Sequence, residues 1–197
     1  MKLIAALLAV VLPSLAAPPV DKAKILGNPS APVTIEIFSD FECPMCKTFH
    51  ETELPLLMRD FVVSGKVCIV AREFPLNIPD HKYSRQEANY ATAAARIGEY
   101  DKVADTLFAH QTSVYAGGKV WETVAAVLTP DQQKKVQALV SDPSVLAEVK
   151  ADYDYSVASG INGTPTLILT RGSRHYPATG GVLEYKLLKS MIDDLLK

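Results

Sequence analysis

The sequence predicts an α/β fold in three parts: a βαβ half, a helical insertion and a ββα half. Three observations carry this prediction. Two apolar, β-branched runs, Val33 to Phe38 and Lys66 to Arg72, flank a helix-like stretch from Pro44 to about Ser64. Residues 83–159 then read as successive helices. A strand from Thr166 to Thr170, a tight turn at Arg171-Gly172-Ser173-Arg174, a short strand from His175 to Ala178 and an amphipathic helix from Leu183 to Leu196 end the chain.

Residues 1–16 read as a secretory signal. Lys2 supplies the positive start, Leu3 to Leu12 is an unbroken ten-residue apolar run, and Ser14-Leu15-Ala16-Ala17 offers small residues for cleavage after Ala16. That run is about half the ~20 residues that span a bilayer. The mature chain is therefore expected to be periplasmic or secreted. Residues 17–32 read as a linker with a short edge strand at Lys24-Ile25-Leu26. Residues 33–82 form the βαβ half, whose parallel strands need a right-handed crossover. Its helix carries a kink signal at Pro55. Within the insertion, Ser84 to Ile97 is alanine-rich and ends at Gly98. A helix from Asp101 to about Val114 is expected to start on an Asp cap. Thr129-Pro130 and Asp142-Pro143 are two further helix starts. Residues 160–197 form the ββα half.

Composition narrows the function. Without Lys2 the chain has 19 basic against 22 acidic residues, which predicts no nucleic-acid surface and no attraction to anionic membranes. Three cysteines are too few for a disulfide-stapled scaffold or a four-thiolate zinc site. Two of them form Cys43-Pro44-Met45-Cys46, after a strand and at the start of a helix. Unpaired N–H groups and the helix dipole favour a thiolate there, and the thiolate is the reactive form of cysteine. Pro44 suits the first helical position. Cys46, one turn on, can close a disulfide onto Cys43, so the spacing describes a dithiol–disulfide switch.

Four stretches carry a resemblance: Leu26 to Glu36, Phe38 to Cys46, Arg72-Glu73-Phe74-Pro75-Leu76, and Gly163-Thr164-Pro165-Thr166. Together they resemble the DsbA-like branch of thioredoxin-fold thiol–disulfide oxidoreductases, along nearly the whole mature chain. The resemblance implies a thioredoxin-like fold with a helical insertion and a cis Thr164–Pro165 bond beside the two cysteines. Cys43 is then the nucleophile and Cys46 the resolving thiol. Thr164, Pro165, Pro44 and Met45 border the substrate. Glu36 resembles the family's buried acid, which shuttles protons to the deeper cysteine, although it stands one residue further from the first cysteine than in the best-known members.

The expected activity is donation of the Cys43–Cys46 disulfide to folding proteins through a mixed disulfide on Cys43. No cofactor is expected. The expected partners are proteins or peptides with thiols or disulfides and a membrane redox partner that restores the active form. A monomer is expected, because the 16 residues of the linker cannot hold a dimerisation domain. Two other readings stay open: a reductase or isomerase kept reduced by a membrane partner, and a CxxC protein binding soft metals such as Cu(I). The helix dipole makes the couple oxidising, Asp40 and Glu42 oppose it, and Lys47 partly compensates. Cys68 reads as a buried small hydrophobe. His50 reads as a packing or capping residue. His81 and His175 show no partner.

Overall fold

The computed structural model describes residues 17–197; the expected signal, residues 1–16, lies outside the described residues. Five strands form one sheet: β1 (Ile25–Leu26), β2 (Val33–Ser39), β3 (Val67–Glu73), β4 (Thr166–Arg171) and β5 (Arg174–Gly180), in the order β1-β3-β2-β4-β5. β2 and β3 are parallel, with Glu36 opposite Val70 and Phe38 opposite Arg72. The other three pairings are antiparallel.

Alternation along β2 sends odd and even residues to opposite faces. Val33, Ile35 and Ile37 are packed with Phe49, Leu57, Leu188 and Ile192. These come from α1 (Pro44–Thr52), α2 (Leu54–Leu57) and the closing helix α9 (Tyr185–Leu196). On the other face Phe38 joins Phe74 and Ile161, with Tyr153 and Tyr155 of α8 (Pro143–Ala158) packed against them.

The helix expected from Pro44 to Ser64 is divided. α1 ends at Thr52, and α2 has Pro55 in its first turn, where its missing N–H costs nothing. A five-residue π segment, Met58–Val62, follows. Between β3 and β4 lie α3 (Ser84–Ala95), α4 (Tyr100–Ala109), α5 (Gln111–Gly117), α6 (Val120–Ala125), α7 (Pro130–Leu139) and α8. Five buried alanines on α3 let its neighbours approach closely. Thr129 caps α7 in a reciprocal box with Gln132, and Asp142 caps α8 through the Ser144 N–H. The helix expected to start on Asp101 starts at Tyr100, with Glu99 before it and no side-chain cap, and it breaks at His110.

Residues 17–32 are fastened to the body. Lys24 is fully buried, with Nζ at 3.0 Å from Asp152, 3.2 Å from Glu148 and 3.5 Å from Glu73. Arg72 Nη1 donates to the Pro18 carbonyl at 2.7 Å and to Asp152 at 2.8 Å. Gly27 turns the chain with φ +89°, and a Cβ there would lie 2.5 Å from Val62 Cγ1, so this turn needs glycine.

Candidate active site

Cys43 is the N-cap of α1 and Pro44 its first residue. Cys43 adopts extended geometry and no side chain caps the helix, so the Met45 and Cys46 N–H groups are left to face the Cys43 sulfur. Both cysteines are free thiols, and both are buried. Cys43 Sγ lies 3.3 Å from the Thr164 carbonyl oxygen, across a cis Thr164–Pro165 bond. Cys46 Sγ accepts from the Asp40 N–H at 3.5 Å. Pro44 and Met45 are exposed beside them, Thr164 is half-buried and Pro165 is buried. The structure thus brings Cys43, Cys46, Pro44, Met45, Thr164 and Pro165 together.

The two thiols are driven apart in acidity. A hydrogen bond from the Cys46 thiol lowers Cys43 most; the Cys46 and Met45 N–H groups add to it, against burial, and Cys43 falls to about 6. Burial, and then the neighbouring Cys43, push Cys46 well above the ordinary thiol value. One thiol is therefore charged at neutral pH while its partner holds its proton.

The family model for Thioredoxin matches residues 20–194. The chain belongs to the thioredoxin family. Its fold is also that of solved DsbA proteins. Among solved structures, Wolbachia pipientis alpha-DsbA1 superposes with a TM-score of 0.75 at 21% identity, over 90% of this chain and 92% of that one. Pseudomonas aeruginosa DsbA2 superposes with a TM-score of 0.68 at 24% identity, over 91% and 96%. The probable disulfide bond formation protein D of Bacillus anthracis is 26% identical over 87% of this chain and 77% of its own length. The Na(+)/H(+) antiporter NhaA 3 of Salinispora tropica is 30% identical over 79% of this chain, but the chain spans only 22% of that protein.

In this thioredoxin-family site the structure does not bring Glu36 to the cysteines. Glu36 lies on the face of β2 that meets α8. It accepts from Arg72 Nε at 2.8 Å, pairs with Arg72 Nη2 at 2.7 Å and accepts from the Tyr155 hydroxyl at 3.3 Å. On the opposite face of β2, Ile37 packs with α1 and lines the same cavity as Cys46. The expectation of a proton-relay acid at residue 36 is therefore corrected: one extra residue before Cys43 flips the carboxylate to the other side of the sheet.

The acids next to Cys43 turn inward. Asp40 Oδ2 accepts from the Leu76 N–H at 2.7 Å, the Ser84 hydroxyl at 3.0 Å and His81 Nδ1 at 2.8 Å. Glu42 Oε2 accepts from the Tyr83 and Ser84 N–H groups at 2.7 and 2.9 Å, capping α3 from another part of the chain. Glu87, in the first turn of α3, is fully buried with neither carboxylate oxygen partnered, and burial together with Glu42 and Asp40 pushes it up to about 9. Gln111 Nε2 holds the active-site loop by donating to the Phe41 and Cys43 carbonyls at 2.6 and 3.0 Å. Sequence reasoning missed Gln111 and the His81–Asp40 pair. Their separations of 68 and 41 residues leave no local pattern to read.

Proposed function

We propose that this protein is an extracytoplasmic DsbA-like oxidase that donates the Cys43–Cys46 disulfide to folding proteins. A substrate thiolate attacks Cys43 Sγ, the Cys43–Cys46 bond breaks, and a mixed disulfide forms on Cys43. Cys46 leaves as a thiolate and takes up a proton. A second substrate thiolate then attacks the substrate sulfur of the mixed disulfide, forming the substrate disulfide and releasing the Cys43 thiolate. The two substrate thiols are oxidised and the enzyme cystine is reduced. A membrane redox partner that accepts these electrons restores the disulfide.

The observation that carries this reading is the opposed acidity of the two thiols. A stable Cys43 thiolate is a good leaving group and favours the reduced enzyme, which makes the disulfide an oxidant. Exposed Pro44 and Met45, with Thr164 and Pro165 across the groove, would border the substrate segment. An extended peptide there can pair with the Thr164 backbone.

Two measurements test it. Cys46→Ala should trap substrates as mixed disulfides on Cys43, and Cys43→Ala should trap none. The reduction potential against glutathione should lie above about −180 mV for a disulfide donor, whereas a value near about −250 mV would assign the protein to the reductases.

A further inference from the structure

Cys46 must gain and lose a proton in every cycle, yet it is only 1% exposed. A cavity of about 50 Å³ lies against Cys46, between the sheet, α1 and α4. Its wall is mostly apolar, with Ser39, Cys46, His50 and Asp101 among the residues that line it. A buried water needs about 10–15 Å³ of such space and two to four polar partners, so the volume admits a few and these four side chains are the partners on offer. His50, Asp101, Leu26 and Leu54 also line an outer pocket of about 240 Å³ on the surface, with Asp105 at its rim. The same four side chains therefore stand between Cys46 and solvent.

His50 is suited to that place. It is four residues after Cys46 on α1, so both side chains occupy one helix face. One ring nitrogen, Nε2, lies 2.7 Å from Asp105 Oδ1, and the ring packs on Phe108 at 4.6 Å between centroids. Asp105 thus fixes the ring while the other nitrogen stays free of any protein hydrogen bond among the described residues. Imidazole is the side chain that most readily passes protons near neutral pH.

We propose that the His50–Asp105 pair is the proton relay of Cys46, working through water in this cavity. The inference rests on the dithiol–disulfide exchange proposed above. When a substrate thiolate breaks the Cys43–Cys46 bond, the imidazolium of His50 gives its proton through water to the departing Cys46 thiolate and becomes neutral. It regains a proton from solvent at the outer pocket. In reoxidation the proton runs the other way, from the Cys46 thiol to His50, as Cys46 attacks the disulfide on Cys43. His50 acts through water and is a positioning and relay residue.

Other charged groups surround the ring, and Asp101 is the one of them with no hydrogen-bonded side-chain partner among the described residues. On α1, Lys47 is held by Glu51 and by the Phe108 carbonyl. On α4, Asp101 faces both chambers, and Tyr100 is committed to Glu73 at 2.9 Å. Lys24, beside Tyr100, is enclosed by its three acids. β1 contributes only apolar Leu26 to the chambers.

The test follows the reaction of glutathione with the oxidised full-length protein between pH 5.5 and 8.5. Samples are quenched by alkylation, and mass resolves the Cys43–glutathione adduct carrying alkylated Cys46. His50→Gln should slow adduct formation at least about tenfold near pH 6–7.5 and flatten its pH profile, with the equilibrium constant against glutathione changed by no more than about twofold. Added imidazole should speed His50→Ala through the outer pocket. Asp105→Asn, on an exposed side chain, should give a smaller loss with the same pH signature. A His50→Gln or Asp105→Asn protein with the wild-type rate and pH profile overturns the relay. So does a slow His50→Ala protein that ignores imidazole. If the wild-type protein forms no adduct with glutathione, the oxidase reading falls with it; if wild type reacts and only the relay signatures are missing, the relay alone falls.

Discussion

The acidity of Cys43 makes the reduction potential bend with pH. Cys43 is drawn from the ordinary thiol value of 9.0 to about 6, while Cys46 is pushed up. Below pH 6 the reduced enzyme binds both protons, so the two-electron couple falls by about 60 mV for each pH unit. Above pH 6 Cys43 is already a thiolate, only Cys46 takes a proton, and the slope halves to about 30 mV. At pH 7 an ordinary thiol would still be protonated, so the lowered value stabilises the reduced form by only about 1.4 kcal/mol, or ~30 mV. The full effect, about 4 kcal/mol, is reached only above pH 9. The reduced form therefore carries thiolate-derived folding stability above pH 9 and loses it as the pH drops through 6. The assay is equilibration against glutathione from pH 5 to 8.5, read by alkylation and mass, with thiolate absorbance at 240 nm as an independent titration. A straight slope of about 60 mV through pH 8 would refute the reasoning, since Cys43 would then hold its proton despite Cys46 and the helix N-terminus.

Three further outcomes follow from buried charge. Glu87 is raised from 4.5 to about 9, so the folded protein holds it neutral; its stability is intact below pH 4.5 and erodes as the pH rises. Glu87→Gln should therefore gain about 1–3 kcal/mol at pH 7 in urea titrations and nothing at pH 4; a loss at pH 7 would mean that this carboxyl has a partner. Lys24→Met should cost about 3–5 kcal/mol, because Glu73, Glu148 and Asp152 would lose a fully buried cation; denaturation at an unchanged midpoint would disprove the clamp on residues 17–32. Glu36→Gln should cost about 1–3 kcal/mol through the Arg72 pair, yet change the rate of disulfide exchange by no more than about twofold. A drop of tenfold or more would return Glu36 to the proton path.

What was legible in the sequence was local. Cys43, Pro44 and Cys46 act within one turn of α1, so their spacing carried the thiol chemistry directly. The strands from Val33 and Val67 were visible in β-branched runs, and Thr129 and Asp142 declared their helices through caps. What escaped notice depended on pairing across the fold. Lys24 read as the start of an edge strand, and its burial went unseen because its partners lie at Glu73, Glu148 and Asp152. His81 looked partnerless because Asp40, its acceptor, turns inward only once α3 offers the Ser84 hydroxyl as well. Glu36 shows the limit most sharply. Its burial was legible, but its face was not, since one residue of register separates the side of β2 that meets α8 from the side that packs with α1. With Ile37 on the near side, the deeper thiol has no acid of the strand to share its proton with. We place the relay instead in the cavity that Cys46 shares with His50.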